Sequence, residues 1–254
     1  MYFPSSTRIR CCRRSKASRN PSPSCATSLS IVRGPALQRT KSPRSVVASN
    51  TQRSVVIFDL GGVLIDWNPR HLYRKLFDGD EAAMDHFLAT VCTTEWNERQ
   101  DAGRSFVEAT RELLPLHADK VELIEAFGKR FDEMIGGAIE GSVDVLAELK
   151  QRAVPVYAIT NWSAETFPPQ RQRFAFLSWF DGIVVSGMEG VIKPHPRIFQ
   201  ILCERHRIVP ETGVFIDDVA ANAAAASALG IHGIHFRSPA QLRSELVALG
   251  MLPP

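Results

Sequence analysis

The 254 residues are 44% hydrophobic, which suits one α/β catalytic domain with an insert or two small domains. No apolar run approaches the roughly 18 to 20 residues that span a bilayer, because the most apolar stretch, 55–65, is interrupted by Asp59 and two glycines. The net charge of +3 is segregated: residues 1–54 hold nine Arg and two Lys and no acid, so removing those 11 from 30 leaves 19 basic against 27 acidic residues, about −8, in the body, which argues against the basic face that nucleic-acid binding favours.

Residues 1–53 are rich in Ser, Arg and Pro, with neither amphipathic periodicity nor a secretory h-region, and read as a disordered basic leader. Their composition is that of an organelle transit peptide. An upstream stretch included through a misplaced start codon, or a basic tail for anionic surfaces, are the alternatives. The expected location is the cytoplasm, or an organelle if the leader directs import. The Cys11–Cys12 pair reads as incidental rather than as a lipidation site. Of five cysteines only Cys92 and Cys203 lie in the body, at a spacing that suits neither zinc nor a disulfide framework, so both read as small core hydrophobes of a reduced protein.

From Ser54 the texture changes. Val55-Val56-Ile57-Phe58 is a β-branched apolar run ending at Asp59 and broken by Gly61-Gly62, the pattern of a buried parallel strand and a turn. Residues 70–137 are almost entirely helical in pattern, with helices expected over 71–77, 81–91, 104–114 and 120–134. After Gly137 strands and helices alternate: helix 143–152, strand 154–160, a helical region 171–180, strand 182–186, helix 196–206, strand 213–217, helix 220–229 closed by Gly230, strand 231–236 and helix 239–249. Alternation of this kind implies a Rossmann-like three-layer α/β fold with a parallel sheet. A helical block of about 70 residues is too long for a crossover, so 69–137 is expected to form a separate α-helical lobe, with 54–68 and 138–254 as the core. Ligands of open α/β sheets bind at the carboxyl ends of the strands. Three expected strands end in polar residues there: Asp59, Thr160-Asn161 and Asp217-Asp218. Lys193 lies in the loop before the 196–206 helix.

Those residue types suit phosphoryl transfer, in which catalysis is mainly positioning and charge neutralisation. Clustered carboxylates take Mg²⁺, a lysine is a point charge for phosphate, and a carboxylate nucleophile divides the reaction into two easier steps through an acyl phosphate. The segments Phe58-Asp59-Leu60-Gly61-Gly62-Val63-Leu64, Ile159-Thr160-Asn161, Val191-Ile192-Lys193-Pro194 and Phe215-Ile216-Asp217-Asp218 with Asn222 resemble, in order, the four motifs of the haloacid dehalogenase (HAD) superfamily. The resemblance covers 54 to about 249, and the insert after the first motif is similar to that of members with a helical C1 cap.

The resemblance implies Asp59 as nucleophile and metal ligand, the Gly61 carbonyl and Asp218 as ligands with Asp217 beside them, and Mg²⁺ as cofactor. It implies Thr160 and Asn161 as phosphoryl-binding groups and Lys193 as the counter-charge to Asp59. Asn222 would bind the water shell of the metal. One departure matters. Many phosphatases of the superfamily carry a second Asp two residues after the nucleophile as general acid and base, and here that position is Gly61. A stand-in is expected among Asp66, a cap residue, or a leaving group acidic enough to need no help; a sugar 1-phosphate has such a leaving oxygen. The Asp-Leu-Gly-Gly-Val form, with 96–101 in the cap, resembles bacterial α-glucose-1-phosphate phosphatases.

Trp162 is a candidate for the substrate pocket, whereas Trp67 and Trp96 read first as packing residues. Asp101 and Arg104 read as a solvated cap face, and His195 as a residue near the site with no assigned role. The expected substrate is a small phosphorylated metabolite, without nucleic-acid or membrane partners, in a monomer or dimer. Two other readings compete: a metal-free 2-haloacid dehalogenase, which the paired acids at 217–218 oppose, and a non-catalytic HAD-like binding protein, which Gly61 alone favours.

Overall fold

The computed structural model describes residues 52–254. Of the basic leader expected over 1–53, residues up to 51, with Cys11, Cys12 and Cys25, lie outside the described residues; Arg53, counted with the leader, is described and donates to the Gly213 carbonyl at 3.2 Å. The described chain runs β1 (Val55–Phe58), β2 (Ile65–Trp67), α1 (Arg70–Leu76), α2 (Glu81–Thr90), α3 (Thr94–Asp101), α4 (Phe106–Leu113), α5 (Val121–Lys129) and β3 (Ile135–Ala138). It continues through α6 (Glu140–Gln151), β4 (Val156–Thr160), α7 (Phe167–Arg173), β5 (Gly182–Val185), α8 (Ser186–Glu189), α9 (Pro196–His206), β6 (Gly213–Asp217), α10 (Ala220–Ala228), β7 (His232–His235) and α11 (Pro239–Ala248).

Five strands form one sheet in the order β5-β4-β1-β6-β7, every pairing parallel. The apolar β1 run sits at its centre because both of its faces are covered. Val56 and Phe58 cluster with Leu146 and Leu149 of α6 and Leu242 of α11, while Ile57 clusters with Ile198 and Phe199 of α9 and Ala226 of α10. That is the expected helix–sheet–helix layering. The chain moves outward from β1 through β4 to β5, then returns through α9 to β6 on the other flank of β1. Chain order therefore reverses beside β1, the place in such sheets where ligands bind.

Three helices of the insert, α2, α3 and α4, start from side-chain caps. The Asp80 side chain accepts from Ala83 N at 3.0 Å, Thr93 from Trp96 N at 3.1 Å, and Ser105 with Glu108 forms a capping box. Helices α3 and α8 had no individual expectation, and three further features depart from the sequence reading. The 120–134 helix is interrupted: α5 stops at Lys129, Arg130 is non-helical, and Phe131–Met134 is a 3₁₀ turn. Phe131 thereby stacks against Trp67, with centroids 6.3 Å apart, and meets Trp162 at a tilt, with centroids 5.9 Å apart. The 171–180 helical region starts earlier, as α7, and ends in a 3₁₀ turn over Ala175–Trp179. The third is an unforeseen antiparallel ribbon, β2 with β3, at the point where the helical insert leaves and rejoins the sheet. Three residues of Ile-Asp-Trp and the Ile-Gly-Gly-Ala run carry little strand signal, and pairing supplied by the tertiary fold decides them. No helix among the described residues is long and apolar enough to cross a membrane. Cys92 is buried, which pushes its thiol up to about 12, in keeping with a packing role.

Candidate active site

Strands β4, β1 and β6 are neighbours, so their carboxyl ends, far apart in sequence, lie side by side. Asp59 follows β1, Thr160 closes β4 and Asp217 closes β6; all three are buried. Lys193 arrives on the loop between α8 and α9 and is 2% exposed, so its charge must be met internally. Its Nζ lies 2.8 Å from Asp59 Oδ2 and 2.7 Å from Asp217 Oδ2. Asp218 completes the group from the exposed side: Asp59, Asp217 and Asp218 each offer a carboxylate oxygen within 4.8 Å of the others. The structure thus brings together the three strand-end acids and the lysine.

The surrounding hydrogen bonds divide the labour. Leu60 N donates to Asp59 Oδ1 at 2.7 Å, orienting the carboxylate. Both oxygens of Asp217 are saturated: Val219 N donates to Oδ1 at 2.8 Å, Asn222 Nδ2 to Oδ1 at 3.0 Å and Oδ2 at 3.1 Å, and Lys193 Nζ to Oδ2. Asn222, expected beside Asp218, is therefore bound to Asp217. Asn161 clamps the lysine loop, its Oδ1 accepting from Lys193 N at 2.8 Å and its Nδ2 donating to Lys193 O at 3.0 Å. Trp162 is buried, its Nε1 donating to Thr166 Oγ1 at 3.1 Å and its backbone N to Ser186 Oγ at 2.9 Å. Ser186, buried on α8, was not singled out by sequence; a serine just after a strand carries no distinguishing signal. His195 is exposed and caps α9, its Nδ1 accepting from Arg197 N at 3.1 Å.

Fully ionised, the three carboxylates outnumber the one ammonium by two charges. Burial raises the Asp59 carboxyl to about 8; the Lys193 ammonium pulls it down, and the charges of Asp217 and Asp218 push it up again. Burial and then Asp217 also raise Asp218. A cluster of hard oxygen donors in electrostatic deficit is a fit for a divalent cation.

Gly62 is required at the turn after Asp59. Its φ is +70°, and an added Cβ would meet Asp218 Oδ2 at 2.2 Å. Gly62→Ala is expected to lose about 1–3 kcal/mol from the left-handed backbone alone, and to displace Asp218; urea unfolding of the variant against the parent measures the first effect.

The helical insert supplies the opposite wall. A cavity of about 50 Å³ is lined by Gly61, Asn161 and Trp162 from the sheet side, by Trp67 of β2, and by Asn97, Asp101 and Phe131 of the insert. Trp96 packs as expected, edge-on to Phe127 at 5.1 Å. Trp67, read as packing, lines the cavity, and its buried Nε1 has no partner among the described residues. The solvated-face reading of Asp101 and Arg104 is corrected. Asp101 is half-buried against the cavity and raised to about 7, by burial first and then by Glu98, with Lys193 and the Ser163 backbone opposing. Arg104 is pinned by Gln100 Oε1 at 2.8 Å, the Trp96 carbonyl at 3.1 Å and the Glu112 carboxylate. Sequence alone gave Asp101 no distinguishing signal, because an acid among Glu98, Arg99 and Arg104 reads as part of a solvated face. Asp66 is exposed and paired with His71 Nε2 at 2.9 Å.

The sequence model of the haloacid dehalogenase-like hydrolases matches residues 54–230. Among named relatives, acyl-CoA dehydrogenase family member 10 of Mus musculus is 28% identical over 213 residues, 76% of this chain, which spans only 19% of that protein. The sesquiterpene phosphatase astK of Aspergillus oryzae is 29% identical over 73% of this chain and 90% of its own length. The phosphorylated carbohydrates phosphatase of Thermotoga maritima is 26% identical over 71% and 83%. A HAD family enzyme from Bacteroides thetaiotaomicron, solved with magnesium and inorganic phosphate, superposes with a TM-score of 0.56 at 20% identity over 73% of this chain and 95% of its own, a likeness of fold.

Proposed function

The chain belongs to the haloacid dehalogenase-like hydrolases, and on that footing we propose that it is a Mg²⁺-dependent phosphatase that hydrolyses a small phosphate monoester through a phosphorylated Asp59. The carrying observation is the deficit of two positive charges among Asp59, Asp217, Asp218 and Lys193 at three adjacent strand ends. Asp59 and Asp218, with the Gly61 carbonyl and with Asp217 beside them, would hold the cation, which when bound offsets negative charge on the phosphoryl oxygens.

The chain's own groups then account for the chemistry. Leu60 N–H and Lys193 hold the Asp59 carboxylate in one orientation for attack on phosphorus. The Thr160 hydroxyl and nearby backbone N–H groups donate to the phosphoryl oxygens, and Lys193 neutralises charge beside Asp59 in both half-reactions. Asn161 keeps Lys193 in place, and Trp162 walls the substrate. Residues 54–68 and 138–254 serve as core, and 69–137 as a cap whose closure excludes bulk water and admits only a small phosphorylated metabolite. The two phosphatase-named relatives and the magnesium and phosphate bound by the Bacteroides enzyme support this reading.

The test is phosphate release from a panel of phosphorylated metabolites with and without Mg²⁺, beside chloride release from a 2-haloacid. Mg²⁺-dependent phosphate release is expected, with no halide released, since Asp217 and Asp218 repel a carboxylate substrate. Metal-independent halide release would select the dehalogenase instead. Mg²⁺ is also expected to raise Tm, and more at pH 8 than at pH 6. The sign follows from Asp59. Its pKa in the fold is raised to about 8, so the proton-bound form prevails at low pH and must be displaced by the cation. A Tm shift that shrinks as pH rises would contradict this.

A further inference from the structure

Gly61 cannot transfer a proton, and a Cβ added there would meet nothing within 4 Å, so the sheet side of the cavity is open at that point. Asp101 lines the same cavity from the insert. Resting on the phosphatase reading, we propose that Asp101 is the proton donor to the leaving oxygen and then the base toward the attacking water.

Asp101 is held where such a group must be. Asn97 Nδ2 donates to its Oδ2 at 2.9 Å. Just beyond it, an added Cβ at Gly103 would stand 3.2 Å from the Gly187 carbonyl on α8, and Phe106 N donates to Glu165 Oε1 at 3.1 Å. These contacts dock the end of α3 on the strand-end loops. Burial first, and then Glu98 on its own helix, raise Asp101 to about 7 against the opposing pull of Lys193 from the core and the Ser163 backbone, which suits a group that gives and regains a proton near neutrality. Asp66, the other nearby acid, is exposed and held by His71. Two buried polar atoms of the cavity-lining residues, Asn97 Oδ1 and Trp67 Nε1, have no partner among the described residues. One accepts and the other donates, which suits a leaving group that carries hydroxyls.

The atoms balance over two steps. An Asp59 oxygen bonds to phosphorus as the ester P–O bond breaks, and the departing oxygen takes the Asp101 proton. A water oxygen then bonds to phosphorus as the Asp59 O–P bond breaks, and its proton returns to Asp101. Inorganic phosphate and the alcohol leave.

The experiment compares parent and Asp101→Asn on glycerol phosphate and on p-nitrophenyl phosphate, whose leaving group needs no proton. Expected is a loss in kcat of about 10² to 10⁴-fold on glycerol phosphate. On p-nitrophenyl phosphate the variant should keep a burst of one equivalent of nitrophenolate, followed by slow turnover and accumulation of phosphorylated Asp59. Asp101→Asn with Gly61→Asp, an acid placed from the sheet side, should recover glycerol phosphate turnover. Equal losses in burst and turnover on both esters, or no loss on either, overturn the assignment of Asp101 alone. Absence of phosphate release by the parent overturns the phosphatase reading with it. Should the variant not fold, the parent decides: its glycerol phosphate kcat must fall above about pH 7 while the nitrophenolate burst does not, and parallel profiles overturn the assignment.

Discussion

Asp59→Asn is expected to lower phosphate release by at least about 10⁴-fold, while leaving the fold as stable as the parent or firmer. The two effects have one cause. Asp59 is 7% exposed and crowded by Asp217 and Asp218 with one lysine to share. An amide of the same shape removes one of the three like charges and keeps an acceptor for Leu60 N, which offsets the ion pair lost at Lys193 Nζ. An amide also cannot form the acyl phosphate. Mg²⁺-dependent turnover together with thermal melts of both proteins would check this. A variant that keeps its turnover would remove Asp59 from the reaction. A variant that loses both activity and fold would make Asp59 a structural residue.

Lys193→Ala is expected to damage both properties. Two buried carboxylates lose the ammonium that lies 2.8 and 2.7 Å away, and breaking a buried pair from one side costs about 3–5 kcal/mol. Asn222 and Val219 N remain on Asp217, but nothing among the described residues replaces the lysine at Asp59 Oδ2. Without the opposing pull of Lys193 the Asp59 carboxyl rises further above its unfolded value. Its neutral form then stabilises the fold at low pH, and the benefit is lost as pH rises. The deficit in unfolding free energy should therefore be larger at pH 8.5 than at pH 5.5, measured by urea titration at both. A deficit that grows toward low pH would mean that Lys193 is not the internal counter-charge of these acids. Activity should fall with it, because nucleophile and phosphoryl group would both lack their neighbouring cation.

The class of fold, and the strands that carry the acids, were legible before any coordinates. Val55 to Phe58 could only be a buried strand, and the polar residues at 59, 160–161 and 217–218 each follow such a run, so the parallel-sheet rule alone sends them to one edge. Helical periodicity marked the insert as a helical lobe, while the caps at Thr93 and Ser105 that start two of its helices came to light only in the structure. What was hidden depends on partners distant in sequence. The β2–β3 ribbon pairs residues about 70 positions apart through segments without strand propensity. Asn161 and Lys193 satisfy each other's polar groups across 32 positions, an arrangement that no local pattern encodes.

Asp101 marks the same boundary within the candidate site. In a helix read alone, an acid among Glu98, Arg99 and Arg104 is part of a polar face facing water. Only the packing of α3 against the strand-end loops removes that water, raises the carboxyl and sets it across a cavity from the glycine that lacks an acid. By itself, then, the sequence determined the layers, the sheet and the residues delivered to its carboxyl edge, because those follow from local periodicity and chain direction. The tertiary structure decided which charges share a counter-ion, which amide holds which loop, and which acid is dry enough to move a proton, because burial and long-range hydrogen bonds exist only once the chain has folded.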